Sequence, residues 1–488
     1  MNTGLPHGFH LAIDADTVQI DTDTLRGGSP IKVLRLSPKG RNAWAELRHG
    51  PVRSAAGSAL ARRLTDVGLA HPRPPEPETA YSVTVVIPVK DRAAMLRRCL
   101  TALGGAYPTV IVDDGSEDRD ALADIASEHS ATMMRRPHCG GPAAARNTGL
   151  NSVSTDLVAF IDSDCTTTVG WIEALAPHFA DPLVAAVAPR VRTLHATTSA
   201  GRYGEVAGSL DMGAAEGRVL PGSRISYVPS AALIVRRDAL RDIGVFDEHL
   251  RYGEDVDLIW RLHEAGLRIR YDPAVQVYHQ EPQRWPELLA RRFHYGTSAA
   301  PLAQRHPDSL APLVVHPWHT ATVLAAVTGR PAPTAVAFGL SVWATRKALR
   351  QAGLPTTGML ATTGTGLQQT WLGLGRFMIQ FAAPVLAAML LHGSGRPAQR
   401  RLSRAAAASL LLGTPLTAYF QHRPRLDPIR FVLGRIADHA AYGAGVWAGC
   451  LRHRTTVPIR PILARPPRRI GAATALSAAS RSTMKGSK

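Results

Sequence analysis

Acidic residues are scarce towards the end of this 488-residue chain. From Gly393 to Lys488 only Asp427 and Asp438 stand against 17 lysines and arginines, so most of the formal charge of +18 lies there. Such a stretch suits an anionic membrane surface, a nucleic acid or a solvated tail. Aromatic residues are only 6% of the chain and do not interleave with these basic residues, so no nucleic-acid partner is expected and the membrane leads. Cysteine is rare too. Cys99, Cys139, Cys165 and Cys450 form no CxxC pair and no finger spacing, which excludes a zinc finger and reads as free thiols in a cytosolic protein. No GxxxxGK[ST] occurs, so the chain is no P-loop kinase or ATPase, and no GxGxxG follows the first apolar strand, which disfavours a dinucleotide redox enzyme. No apolar run reaches the ~20 residues of a membrane span. The opening residues lack a basic region followed by an apolar one, so export by a signal peptide is not expected.

What is present divides the chain. Hydrophobic residues at 45% and charged ones at 19% give ample core, and the length implies two to four units. Residues 1–72 read as a small α+β module, with alternating strands, a Ser37-Pro38 helix start and a second helix closed by Gly68. The proline-rich stretch from His71 to Thr79 reads as a linker, placed over 73–80. From 81 to 300 apolar strands alternate with helices and end in polar residues, the pattern of an open α/β sheet with ligands at its carboxyl edge. Residues 301–455 hold short, proline-broken apolar segments, open to reading as packed hairpins, interfacial helices or spans, and 456–488 form a basic tail.

Three acidic groups fall at element ends in the α/β part. The strand LVAFI runs into Asp162 and Asp164, and alternate residues of an extended chain point the same way, so both can approach one Mg2+ or Mn2+. Asp113 and Asp114 end the preceding strand, where a carboxylate can accept from a base or ribose, or where Ser116 or Asp118 caps a helix. Between them, Gly140 and Gly141 let backbone pass close to a ligand, Pro142 opens a helix whose free N–H groups favour anions, and Arg146 adds a positive charge one turn in. Glu254 and Asp255 start another helix. Val256, Ile259, Trp260 and His263 give it one packed face, which predicts acids at an exposed tip, kept ionised by the helix N-terminus and fit for a general base. His279 ends a strand-like run and is a candidate third metal ligand.

The ordered motifs VTVVIPVKDR, VIVDDGSED, GPAAARNTGL, AFIDSD and YGEDVDLIWRL resemble those of family 2 glycosyltransferases of the GT-A fold. The resemblance implies a nucleotide-sugar donor, a divalent metal and inversion at the anomeric carbon. By motif position it implies that Pro88, Asp91 and Asp114 hold the nucleoside, that Asp162 and Asp164 meet metal and diphosphate, that Asp255 is the base, and that His279 is a metal-binding histidine. The flanking regions are similar to those of the glycosyltransferases of the mycofactocin pathway. That similarity implies a peptide-recognition, winged-helix-like N-terminal module, a UDP-glucose donor, a peptide-derived redox cofactor as acceptor, and a membrane-associating helical C-terminal region at the cytoplasmic face of the membrane or in the cytoplasm. The rivals are a family 2 enzyme building cell-envelope glycan or lipid-linked sugar, and a non-catalytic peptide-binding scaffold.

Overall fold

A computed structural model describes residues 4–76, 80–194, 196–393 and 395–464. The larger part of the basic tail expected over 456–488, from residue 465 on, therefore lies outside the described residues.

The first helix, Pro38–His49, starts where Ser37 caps it, the hydroxyl accepting from Gly40 N at 3.2 Å. The second, Ala55–Val67, ends at Gly68 with φ of 77°, a left-handed stop that glycine adopts without strain. They pack with a three-stranded antiparallel sheet, Val18–Asp21, Thr24–Gly27 and Lys32–Arg35, around Leu25, Leu34, Trp44 and Leu64. The expected linker begins later than the sequence suggested. Ala70–Arg73 is a strand paired with His10–Ile13, and its edge position lets Pro72 sit there without an N–H to donate. Ion pairs fasten this module to the rest: Arg62 holds Asp181 through two bonds of 2.6 and 2.7 Å, and Asp66 meets both Arg218 and Arg268.

The centre is a nine-stranded mixed α/β sheet. Strands Leu157–Ile161, Val83–Val89, Thr109–Asp113 and Thr132–Arg135 run parallel in that spatial order. Beyond Leu157–Ile161 lie the antiparallel strand Ala232–Arg236, then Val184–Thr193, Arg268–His279 and Cys165–Thr167. The parallel strands are apolar throughout because both faces are covered. Val85, Ile87 and Ile111 face the helices Ala93–Leu103 and Arg119–Glu128, and Val86, Val112 and Phe160 face the helix Pro142–Asn151. Three strand ends therefore meet at one carboxyl edge and bring Asp91, Asp114 and Asp162 to the same rim.

The apolar segments after residue 300 are longer than their prolines suggested. Prolines open most of the helices, at positions that need no N–H bond, and Pro331–Ala352, Pro397–His422 and Pro428–Arg452 run for 22 to 26 residues, the second continuing through the internal Pro415. The last of these lies against Trp285–Thr297 along a glycine seam. A methyl group added to Gly296 would overlap the carbonyl of Tyr442, and one on Gly445 the carbonyl of Phe293.

Candidate active site

Asp162 and Asp164 are held together differently from the sequence expectation. The strand stops at Ile161, and Cys165 N donates to Asp162 O at 2.9 Å, closing a tight turn, so the pair is not an extended alternation. Asp162 is part-exposed and accepts from Arg146 Nη2 at 2.6 Å. Asp164 is buried, pairs with Arg92 and lies 3.4 Å from His279 Nε2. Cross-strand pairing of Cys165 with His279 places that imidazole. Burial alone would lower the pKa of His279, but Asp164 and Glu281 outweigh it and push it up to about 9. Burial likewise opposes the charge of Asp164, yet His279 and Arg92 hold its carboxyl well below the usual range.

One carboxylate oxygen here is open to a divalent cation. Asp164 Oδ1 is buried without a hydrogen-bond partner, an anionic oxygen in want of a positive ligand, beside an imidazole and a second carboxylate. Among the described residues no three acids, histidines or cysteines form a ready cage. Asp162, Asp164 and His279 are the residues that could hold the ion.

On the neighbouring strand end the two acids divide their work. Asp113 has no exposure, because strand register sets it beside Arg135; it pairs with that guanidinium and accepts from Ser116 N at 2.8 Å. It shapes the loop and offers a donor no surface. Asp114 accepts from Gly140 N at 3.0 Å and Gly141 N at 2.7 Å, latching the loop before the helix Pro142–Asn151. Gly141 itself has φ of 90° and open space beside its Cα. Pro88 is part-buried on its strand, and Asp91 is exposed at the rim with φ of 53°, its carboxylate accepting from Glu117 N at 2.7 Å. Asp is among the few residues that tolerate this conformation.

Arg146 departs from the expected role of a phosphate contact. It is 3% exposed, with Nη2 on Asp162 and Nη1 on Glu254 Oε1 at 3.0 Å, and its guanidinium sits over the Phe246 ring. One buried cation thus bridges the metal-side acid and the helix Glu254–Glu264. That helix buries Leu258, Ile259, Trp260 and Leu262, so its start is drawn inwards and Glu254 is buried, not at an exposed tip. Asp255 is half-buried and accepts from Val256 N at 2.8 Å and Ser230 N at 3.3 Å. Burial raises the pKa of both acids, with their mutual repulsion adding for Glu254, and Arg146 only partly opposes this. Burial thus opposes the ionising effect expected of the helix N-terminus on both acids.

The profile of glycosyl transferase family 2 matches residues 84–244. A pre-mycofactocin glycosyltransferase of Mycobacterium tuberculosis is 40% identical over 476 residues, covering 94% of this chain and 98% of that one. The chain belongs to the family 2 glycosyltransferases. It is similar along nearly its whole length to the pre-mycofactocin member, whereas the glycosyltransferase AglE of Haloferax volcanii is 29% identical over 228 residues, 44% of this chain and 71% of its own. A solved mannosyltransferase of Pyrobaculum calidifontis, in complex with GDP-Man and Mn2+, covers 74% of this chain and 87% of its own at 18% identity, with a TM-score of 0.42.

Two further residues beside these acids are not evident from the sequence. Glu281 is buried with its Oε1 3.2 Å from His279 Nδ1, an ion-pair contact beside the ring. Its position two residues beyond His279 was the available signal. Arg92 stands next to Asp91 in the quoted motif, but its partner Asp164 lies 72 residues on, where no local pattern names it. If His279 is a metal ligand, His279→Ala should raise the metal concentration for half-maximal activity about 10- to 100-fold. An unchanged titration would make the imidazole purely structural.

Proposed function

We propose that this glycosyltransferase moves glucose from UDP-glucose, with inversion, to a peptide-derived redox cofactor precursor and extends it, with Mn2+ or Mg2+ at Asp162, Asp164 and His279. The observation that carries this reading is Arg146, which fixes a donor-side acid and a base helix on either side of one guanidinium. Asp255 takes the acceptor hydroxyl proton, that oxygen forms the new bond to the anomeric carbon, and the bond from that carbon to the diphosphate oxygen breaks with its electrons leaving on the nucleotide. Attack opposite the leaving group inverts the centre. A bound divalent ion supplies charge neutralisation to the departing diphosphate. Amides at the start of the helix Pro142–Asn151 add positive potential on the same side. Mixed carboxylate and imidazole donors suit Mn2+ better than Mg2+. The name of the M. tuberculosis relative, a pre-mycofactocin glycosyltransferase, supports the acceptor class, and glucose is what the resemblance to mycofactocin-pathway enzymes implies.

The test is to supply purified protein with UDP-glucose and Mn2+, offering peptide-derived and lipid acceptors in parallel. A hexose mass increment on the peptide-derived acceptor, lost with EDTA and in Asp164→Asn, is expected. Transfer to the lipid alone would replace the acceptor assignment, and full activity of Asp164→Asn in chelator would remove the metal.

A further inference from the structure

Near Asp255 lies a group of cations that the fold leaves short of counter-charge. The helix Met359–Phe381 meets Pro428–Arg452 so closely that a methyl group on Gly443 would overlap the carbonyl of Gln380. Residues at helical spacing from that contact share its stripe: Arg376 and Gln380 on one helix, Arg435, His439 and Tyr442 on the other. Arg292 reaches the same place from Trp285–Thr297, its guanidinium 5.9 Å from the centre of the Tyr442 ring. Three guanidiniums thus gather with one carboxylate among them. That carboxylate, Asp438, is fully buried, pairs with Arg292, lies 3.7 Å from Arg435 and accepts from Tyr203 Oη at 2.9 Å. Arg376 has no acidic partner among the described residues.

Buried charges are normally paired, because an uncompensated one is costly. Here the surplus is felt by every neighbour. Gln380 Nε2 donates to His439 Nδ1 at 3.2 Å, so the ring keeps its proton on Nε2, which is buried without a partner, as is Arg435 Nε. Burial, with Arg435, Arg376 and Arg292 adding to it, pushes the pKa of His439 down to about 3, so the imidazole is a donor without charge. Burial and Arg435 lower the pKa of Arg376 as well. Yet Arg376 keeps an exposed face, and the side chains of Arg292 and Arg435 retain 20% and 24% of their surface. Side chains crowded by protein and still open to solvent line a cleft. Its wall leads back to the reacting centre. Tyr227 is part-exposed, and burial and Asp255 push its phenol up to about 12 while Arg292 opposes them, so it stands near both the base and the cations.

We propose that this cleft receives the sugar acceptor and that Arg376, with Arg435, holds an oxyanion of that molecule, a carboxylate or a phosphate, while its hydroxyl meets Asp255. This rests on Asp255 being the base. An apolar body lying along Tyr227 and Tyr442 joins the two ends.

The test reads binding without turnover, by calorimetry on the full chain saturated with UDP and Mn2+. The probes are N-acetyltyrosine, N-acetyltyrosinamide and tyrosol phosphate. The acid should bind about tenfold or more tighter than the amide, the worth of one charge-assisted contact. Arg376→Met should remove that preference and Arg376→Lys restore part of it. The thermal transition should not fall in either variant, because no acid loses its partner; a fall would make Arg376 a structural tether and overturn the proposal. A phosphate that binds tighter than the acid, with the same dependence on Arg376, assigns the oxyanion as phosphate. Equal binding of acid and amide, or a preference that survives Arg376→Met, overturns the proposal. So does inhibition of transfer by the acid in competition with UDP-glucose and not with the sugar acceptor, since the cluster would then serve the diphosphate. Asp255→Asn separates this inference from the reading beneath it: an intact acid preference with undiminished turnover would remove the base and leave the anion site standing.

Discussion

Asp255→Asn should reduce turnover by about 10²- to 10⁴-fold, the usual worth of a positioned general base. The amide keeps the size of the carboxylate, and its one oxygen can still accept from Val256 N while the longer bond from Ser230 N, made to the other carboxylate oxygen, is lost, so the helix start should persist. Donor affinity should change little on the proposed reading, in which the nucleoside meets Asp91 and Asp114 on other strand ends. The pH profile gives a second readout. Burial raises the pKa of both Glu254 and Asp255, so activity should climb with pH until the base is deprotonated, at a pH above the ordinary carboxylate range. Glu254→Gln removes the neighbouring charge and should slide that acidic limb to lower pH. Stability runs the other way: a raised carboxylate contributes most below its unfolded pKa and loses that contribution as pH rises through the folded value. If Asp255→Asn turns over normally while Glu254→Gln is dead, the helix is right and the acid wrong. If neither change matters, the proposed mechanism fails.

Arg146→Met should be the most damaging single change to the fold of the site. The methionine fills much of the volume beneath Phe246 but leaves Glu254 buried with no cation and Asp162 with no anchor. Breaking a buried pair from one side typically costs ~3–5 kcal/mol, which thermal or urea unfolding would register directly. Arg146→Lys keeps the charge, but a single ammonium lacks the fork that serves two acids. It should therefore recover part of the stability and little of the activity. The double variant Arg146→Met, Glu254→Gln should regain stability over Arg146→Met alone, since the stranded charge is gone. A neutral result for Arg146→Met would mean the bridge is incidental.

Much of the sheet was legible because it is apolar on both faces, and such runs cannot be mistaken for surface strands. The motif acids were legible because they follow those runs. Partnership was harder to read. Arg146 and Glu254 are 108 residues apart, and nothing local to either names the other. Asp113 and Asp114 look equivalent in sequence, yet pairing with the strand carrying Arg135 turns one inwards and leaves the other to latch the glycine loop. The turn at Asp162 and Asp164 was misread as extended because a tight turn and a strand end share the same short polar composition. For the late helices, periodicity gives two stripes, one apolar and one small and polar, but not which of them faces the neighbours.

The glycine seam between Trp285–Thr297 and Pro428–Arg452 has a mechanical consequence. Backbone lies against backbone there, at Gly296, Gly445 and Gly449, with no side chains between that could change rotamer and let one helix roll over the other. Prising the seam open would separate two closely packed backbones and leave a gap that no side chain at these glycines could fill. The joint is therefore a weld and not a hinge. Whatever orientation the C-terminal helices take, the mouth of the active site inherits, and any opening or closing over substrates must come from loops at the sheet's rim.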